Sequence, residues 1–249
     1  MSTIGLRDVA IVTGRELRPL LRSPFSIMFG LVQPLVFLAL FGPLLAGSFE
    51  GDIWQWYVPS ILVMTTLFGT STVGAGLLGE FITGSHERML VTPLSRSSLL
   101  VGRAVKELVP LAGQAVLIVL VMLPFGFRLH VGGALLGLAL LGIFGIGLGS
   151  LSYALAVAVR RTDWMFWLVQ QTLLFPLMIL SGMLLPLENG PGWMRVAAGF
   201  NPLAHMVTAE RLLFAGRIAE TGVLWGLLAA VATAVIGLTI GIRAMRRSA

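Results

Sequence analysis

The sequence predicts an all-α membrane protein with six transmembrane helices, an amino-terminal amphipathic interfacial helix, and short re-entrant helices between spans five and six. Three observations predict this. Apolar residues make up 57% of the 249 residues and charged residues 11%, with a mean hydropathy of +0.93, far from the composition of soluble domains. Six intervals contain no Asp, Glu, Lys or Arg: 23–49, 53–79, 108–127, 129–159, 164–187 and 221–242. Each reaches the roughly 20 residues that an apolar helix needs to cross the hydrocarbon core, where one centred charge costs about 2.5 to 3.5 kcal/mol. Basic residues are also unevenly placed. With the amino terminus cytoplasmic, thirteen of the 17 Lys and Arg residues fall on the cytoplasmic side, leaving Arg128, Arg195, Arg211 and Arg217 outside. That is the positive-inside distribution, and it places both termini in the cytoplasm. The net charge of +6 is thereby accounted for by topology, without nucleic acid.

Residues 1–249 read as a single transmembrane domain. In 1–22, Leu6, Val9, Ala10, Thr13, Leu17, Leu20 and Leu21 share one helical stripe, with Arg15, Arg18 and Arg22 off it. This is the pattern of a helix lying in the headgroup layer, with Pro19 bending its end and Ile11 and Val12 fitting the stripe poorly. The largely polar start and the long first interval do not match a cleavable secretory signal. Trp54, Trp56 and Tyr57 mark the outer interface of span two, and Trp164 and Trp167 the inner interface of span five.

Span four carries Gly133 with Gly137 and Gly145 with Gly149, and span six Gly237 with Gly241. Small residues at this spacing let helix backbones approach closely, within one subunit or across a dimer. Phe29, Gln33 and Phe37 in span one, Thr66 and Thr70 with Thr65, Ser71 and Thr72 in span two, and Gln170, Gln171 and Phe175 in span five are candidates for lining a substrate path. The competing reading is that such Gln and Thr residues bond between helices. No ionisable residue falls clearly at mid-membrane, which counts against a secondary carrier. In the outer segment 186–222, two short helices are expected to break at Asn201-Pro202 and to enter the membrane in part. Glu210 and Arg211 are expected to form a local ion pair or to stand near the outer end of the path. His130 reads as an interfacial histidine and not a ligand.

Cysteine is absent, which excludes disulfides and thiolate metal sites. No G-x-x-x-x-G-K-[ST] phosphate loop occurs, and the one lysine, Lys106, follows no glycine. The chain is therefore expected to be no ATPase itself and to hold no cofactor or metal. A membrane enzyme acting on lipids or isoprenoids would need an acidic cluster such as D-x-x-x-D, which is lacking.

The cytoplasmic loop 79–104 carries the most information. Met89, Leu90 and Val91 form an apolar tip flanked by Glu80, Glu87, Arg88 and Arg96 and closed by Pro93, a pattern suited to docking in a groove of a partner protein. Here the sequence resembles the ABC type-2 transporter permeases, in which this loop reads roughly E-x-x-x-G-T-x-E-R-L-L-V-T-P-x-S-R. Glu80, Gly84, Glu87, Arg88, Leu90, Val91, Thr92, Pro93, Ser95 and Arg96 match in register, while Ser85, Met89 and Ile82 depart from it. The Asn201-Pro202-Leu203 segment followed by Arg211 extends the resemblance, and daunorubicin-resistance-like permeases are the nearest comparison. The resemblance implies a coupling helix seated in a nucleotide-binding ATPase subunit, present in two copies and holding ATP and Mg. It further implies a second permease copy, most simply a homodimer, in a bacterial inner membrane. An amphiphilic drug or lipid-like molecule is the implied substrate, with a polysaccharide or lipid-linked glycan as the alternative within the family.

Overall fold

The structure is a computed structural model and describes residues 11–14, 17, 24–46, 52–82, 96–187 and 190–247. Among these residues all regular secondary structure is helical: α1 Pro24–Ala46, α2 Ile53–Ser71, α3 Val73–Ile82, α4 Arg96–Lys106, α5 Leu108–Met122, α6 Val131–Ala158, α7 Trp164–Ile179, α8 Gly192–Phe200, α9 Pro202–Phe214 and α10 Thr221–Arg247. A 3₁₀ turn, Leu123–Phe125, ends α5. The chain also makes a helical turn over 11–14.

Among the described residues, four stretches are long and apolar enough to cross a membrane: Ile53–Phe81, Val101–Phe125, Val131–Ala158 and Thr221–Met245. Gly30–Leu45 and Trp164–Ile179 are apolar but shorter. In the fifth charge-free interval the shortening has a local cause. Pro176 lies in the last turn of α7, and Gly182, at φ +70°, turns the chain away. The 16 residues of α7 rise about 24 Å, against a hydrocarbon core of roughly 30 Å.

α2 is the centre of the bundle and packs against α1, α5, α6 and α9. It is apolar nearly all round, and Tyr57, Val58, Ile61, Val63 and Leu67 have no exposed surface. A second apolar cluster, Leu77, Leu78, Tyr153, Phe166 and Met245, joins α3, α6, α7 and α10 at the end of the bundle nearest the loop that follows α3.

Glycine sets the closest approaches between helices. α6 and α10 meet backbone to backbone where Gly147 and Gly237 face each other, and a Cβ on Gly147 would stand 2.6 Å from the Thr233 carbonyl. Nearer the start of α6, Gly133 faces the backbone of Leu213 and Gly137 faces Glu210 and Phe214, so that α9 nests directly on α6. Gly145 faces Thr66, Thr70 and Leu111.

α8 and α9 meet at Asn201. Pro202 begins α9, where its missing N–H has no intrahelical partner to lose. The Asn201 side chain accepts from the Leu203 N–H (3.0 Å) and donates to the Leu177 carbonyl of α7 (2.7 Å), so one residue caps α9 and ties it to α7.

Candidate functional site: loop roots, hinge and membrane cavity

The loop between α3 and α4 is held at both of its roots. α3 carries Glu80 and α4 carries Arg103, which is almost wholly buried, and the two side chains form an ion pair of 2.5 Å. A partly buried pair of this kind is screened less than a surface one. Lys106 stands 3.6 Å from Glu107 at the junction of α4 and α5. The helical turn 11–14 rests on the same structure: Thr13 donates to the Gly102 carbonyl (3.0 Å), and Val12 is buried. Val12 lies off the predicted apolar stripe, yet the turn docks with Val12 and Thr13 together. Gly84, Glu87, Arg88, Met89, Leu90, Val91, Thr92, Pro93 and Ser95 lie outside the described residues, as do Arg15, Arg18 and Arg22.

α3 is separated from α2 by a break at Thr72. In a continuous helix the Ser71 carbonyl would receive the Ala75 N–H, but Ala75 bonds to the Thr72 carbonyl instead (3.0 Å). The released Ser71 carbonyl accepts from Ser152 of α6 and from the Gln170 amide of α7 (2.6 Å). The Ser152 hydroxyl oxygen in turn accepts from the Gly74 N–H (2.9 Å), and Gly74 has no room for a side chain against the α6 backbone. Side chains from two neighbouring helices thus satisfy the groups that the break would orphan.

Above this break, α1, α2 and α5 enclose a cavity of about 230 Å³ lined by Gln33, Pro34, Met64, Thr65, Phe68, Thr72 and Gln114. Gly30 of α1 leaves the space that the Gln114 amide fills. Two amides and two hydroxyls beside Met and Phe form a mixed polar and apolar lining of the kind that accepts an amphiphile.

The sequence-predicted path residues are divided by the fold. Gln33 lines the cavity. Phe37 stacks on Phe41 (5.4 Å) in α1, and the Phe29 side chain lies outside those described. Thr66 and Thr70 turn into the core, bond back to Leu62 and Thr66 carbonyls (2.9 and 2.7 Å), and present their methyls to Gly145. Gln170 holds the break, whereas Gln171 and Phe175 are exposed on the outer side of α7 beside Trp164, Trp167 and Leu168. Thr65 and Thr72, candidates from the same span, line the cavity, and Gln114 was not foreseen. Its one legible signal is a lone amide in an otherwise apolar interval.

The expected ion pair between Glu210 and Arg211 does not form, because successive helical residues point about 100° apart. Arg211 stacks over the Trp56 ring (3.7 Å), donates through Nε to the Trp56 carbonyl and Ser60 hydroxyl (both 3.0 Å), and donates through Nη2 to the Gly182 carbonyl (2.9 Å). Glu210 turns the other way and is completely buried against Gly137. Nearby, Gln55 donates to the Phe214 and Arg128 carbonyls (2.8 and 3.1 Å), and His130 Nδ1 lies 3.0 Å from the Phe214 carbonyl. These contacts anchor the end of α9 to the starts of α2 and α6.

A helical bundle with several apolar helices of membrane length is the architecture of a multi-pass membrane protein. Residues 7–214 match the family described as ABC-2 type transporter, and the chain belongs to that family. It is 26% identical over 198 residues to the daunorubicin resistance ABC transporter permease protein DrrB1 of Streptomyces coeruleorubidus, covering 78% of this chain and 70% of that protein. It is 29% identical over 217 residues to ycf38 of Cyanophora paradoxa, named as a transport permease, covering 84% of this chain and 74% of the relative. It is 25% identical over 181 residues to the protein named probable multidrug ABC transporter permease YbhR of Escherichia coli, covering 70% of this chain and 48% of that protein.

Proposed function

We propose that the chain is the membrane-spanning permease subunit of an ATP-binding-cassette exporter, moving an amphiphilic drug or lipid-like substrate out of the cell. ATP is hydrolysed by a separate nucleotide-binding subunit, which holds the ATP and Mg. The observation that carries this reading is the Glu80–Arg103 bridge, which ties both roots of the loop into one body on α3 and α4. A force applied to the loop by a docked motor then reaches α3 as a unit, pivots it at Thr72, and changes the walls of the Gln33–Gln114 cavity. The motor drives this step only to the extent that its docking differs between nucleotide states.

In the full reading the chain crosses a bacterial inner membrane six times with both termini inside, two ATPase subunits bind beneath, and a second permease copy completes the path. The α7 face supports the second copy. Gln171 stands exposed among Trp167, Leu168 and Phe175, and an amide is better placed against another helix than in lipid. The mixed lining of the cavity and the relative named for daunorubicin resistance favour a drug-like substrate. A polysaccharide or lipid-linked glycan is the second reading within the family, and a secondary carrier a more distant one.

The test is ATP hydrolysis by the reconstituted complex with a panel of dyes, antibiotics and lipids. Stimulation by an amphiphile, lost in Glu80→Gln with membrane insertion intact, is the expected result. Stimulation unchanged by that substitution would remove the loop from the coupling route.

A further inference from the structure

Glu210 is the one carboxylate in the described part of the chain that the functional reading leaves unused and that has no exposed surface. Among the described residues neither of its oxygens has a hydrogen-bond partner. It lies on α9, a helix of 13 residues, and touches Gly137, six residues into α6 and hence about 9 Å from the start of that helix. The absence of a side chain at Gly137 makes the space that the carboxyl occupies, and the Phe214 ring closes it. An ionised carboxylate in such a place has neither water nor a countercharge, so the neutral acid is the form that fits.

The groups around it do not supply the missing charge. Arg211 is committed to Trp56, Ser60 and Gly182 on another face of α9, and His205 Nε2 lies 2.9 Å from the Gly199 carbonyl. On the neighbouring elements, His130 before α6 is engaged with the Phe214 carbonyl, Tyr57 of α2 is directed to the Phe37 carbonyl (3.5 Å), and Arg195 of α8 is exposed. Tyr153 of α6 and Arg243 of α10 stand toward the opposite end of those helices.

We propose that Glu210 is a proton-binding site of the membrane domain: its carboxyl holds a proton while α9 is seated on α6 and releases it to water when the two helices part. The balance is that of a simple acid, with one carboxylic acid giving one carboxylate and one proton and no other reactant. Helix contacts at Gly133 and Gly137 make the site two-state, because the carboxyl is either sealed against the glycine surface or open to solvent. A transport cycle that opens and recloses this seam exchanges one proton with the solvent on the α9 side. This last link rests on the exporter reading, whereas the protonation does not.

The test uses the full chain in lipid nanodiscs. Infrared spectra at neutral pH are expected to contain a protonated-carboxyl band that Glu210→Gln removes. The protection of α9 against hydrogen exchange, taken relative to the intrinsic exchange rate at each pH, is expected to fall as pH rises in the wild type and to stay constant in Glu210→Gln. A wild type without that band, or α9 exchange with the same pH dependence in both proteins, overturns the proposal. So does a Glu210→Gln chain that fails to elute as folded protein, because the neutral amide is the isostere of the neutral acid. In the complex with its ATPase subunit, the pH profile of ATP hydrolysis is expected to lose a titration step in Glu210→Gln, and identical profiles overturn the link to transport. A complex that hydrolyses ATP without export sinks the exporter reading while the band and exchange still decide the proton site.

Discussion

The carboxyl of Glu210 lies directly against Gly137, one residue contributing the only fully buried acid among the described residues and the other the room for it. A Cβ at position 137 would overlap that carboxyl and stand 3.1 Å from the Phe214 ring. Gly137→Ala is therefore expected to cost about 1–3 kcal/mol as an overpacking substitution. Gly149→Ala is the matched control. No atom lies within 4 Å of its added methyl, and relief of glycine entropy predicts no loss. Thermal unfolding of the two variants in the same detergent separates them.

The pH dependence of stability follows from the same pair. Burial raises the Glu210 pKa from 4.5 to about 8. Between those values the folded chain holds a proton that the unfolded chain has released, so stability falls as pH rises through that window and is constant above it. Glu210→Gln should remove this slope, as measured by unfolding temperature against pH.

Asn201 offers a test of the α8–α9 junction. Asn201→Ala loses the cap of α9, worth about 1 kcal/mol, and leaves the Leu177 carbonyl without its donor, worth a further cost of about 1–3 kcal/mol. Asn201→Asp keeps the acceptor for the Leu203 N–H and loses only the donor to Leu177. Its unfolding temperature is expected to fall between those of the wild type and the alanine variant.

At the loop roots, Arg103→Glu is expected to abolish substrate-stimulated ATP hydrolysis by placing two acids together, and Glu80→Arg to do the same with two bases. The double exchange restores opposite charges across the contact and is expected to recover part of the stimulation, read as a coupling energy from the four proteins.

Arg211→Lys tests whether the start of α2 is held by charge or by geometry. An ammonium cannot stack on Trp56 and reach the Trp56, Ser60 and Gly182 oxygens together. A loss of about 1–3 kcal/mol in unfolding measurements is expected despite the conserved charge.

The sequence by itself determined where the apolar helices run and which family the chain belongs to. Charge spacing settles the first because the cost of a charge in hydrocarbon is a property of each residue, whatever its neighbours. A register-matched motif pointed to the second, and residues 7–214 match that family. Asn201-Pro202 was legible as a break for an equally local reason, since proline opens a helix and asparagine caps it.

What the tertiary structure alone decided is which polar side chain meets which neighbour. Thr65 and Thr66 are adjacent and chemically identical, yet one lines the cavity and the other faces Gly145. Glu210 and Arg211 read as a pair in the chain and point into different surroundings in the fold. Glu210 is buried in the bundle although nothing local in the chain marks it, because an acid in a polar connection reads as exposed until α9 is seen seated on the glycines of α6. Helical periodicity fixes the angles between side chains, but the direction of the whole set depends on contacts far apart in sequence, such as Ser71 with Ser152 and Gln170.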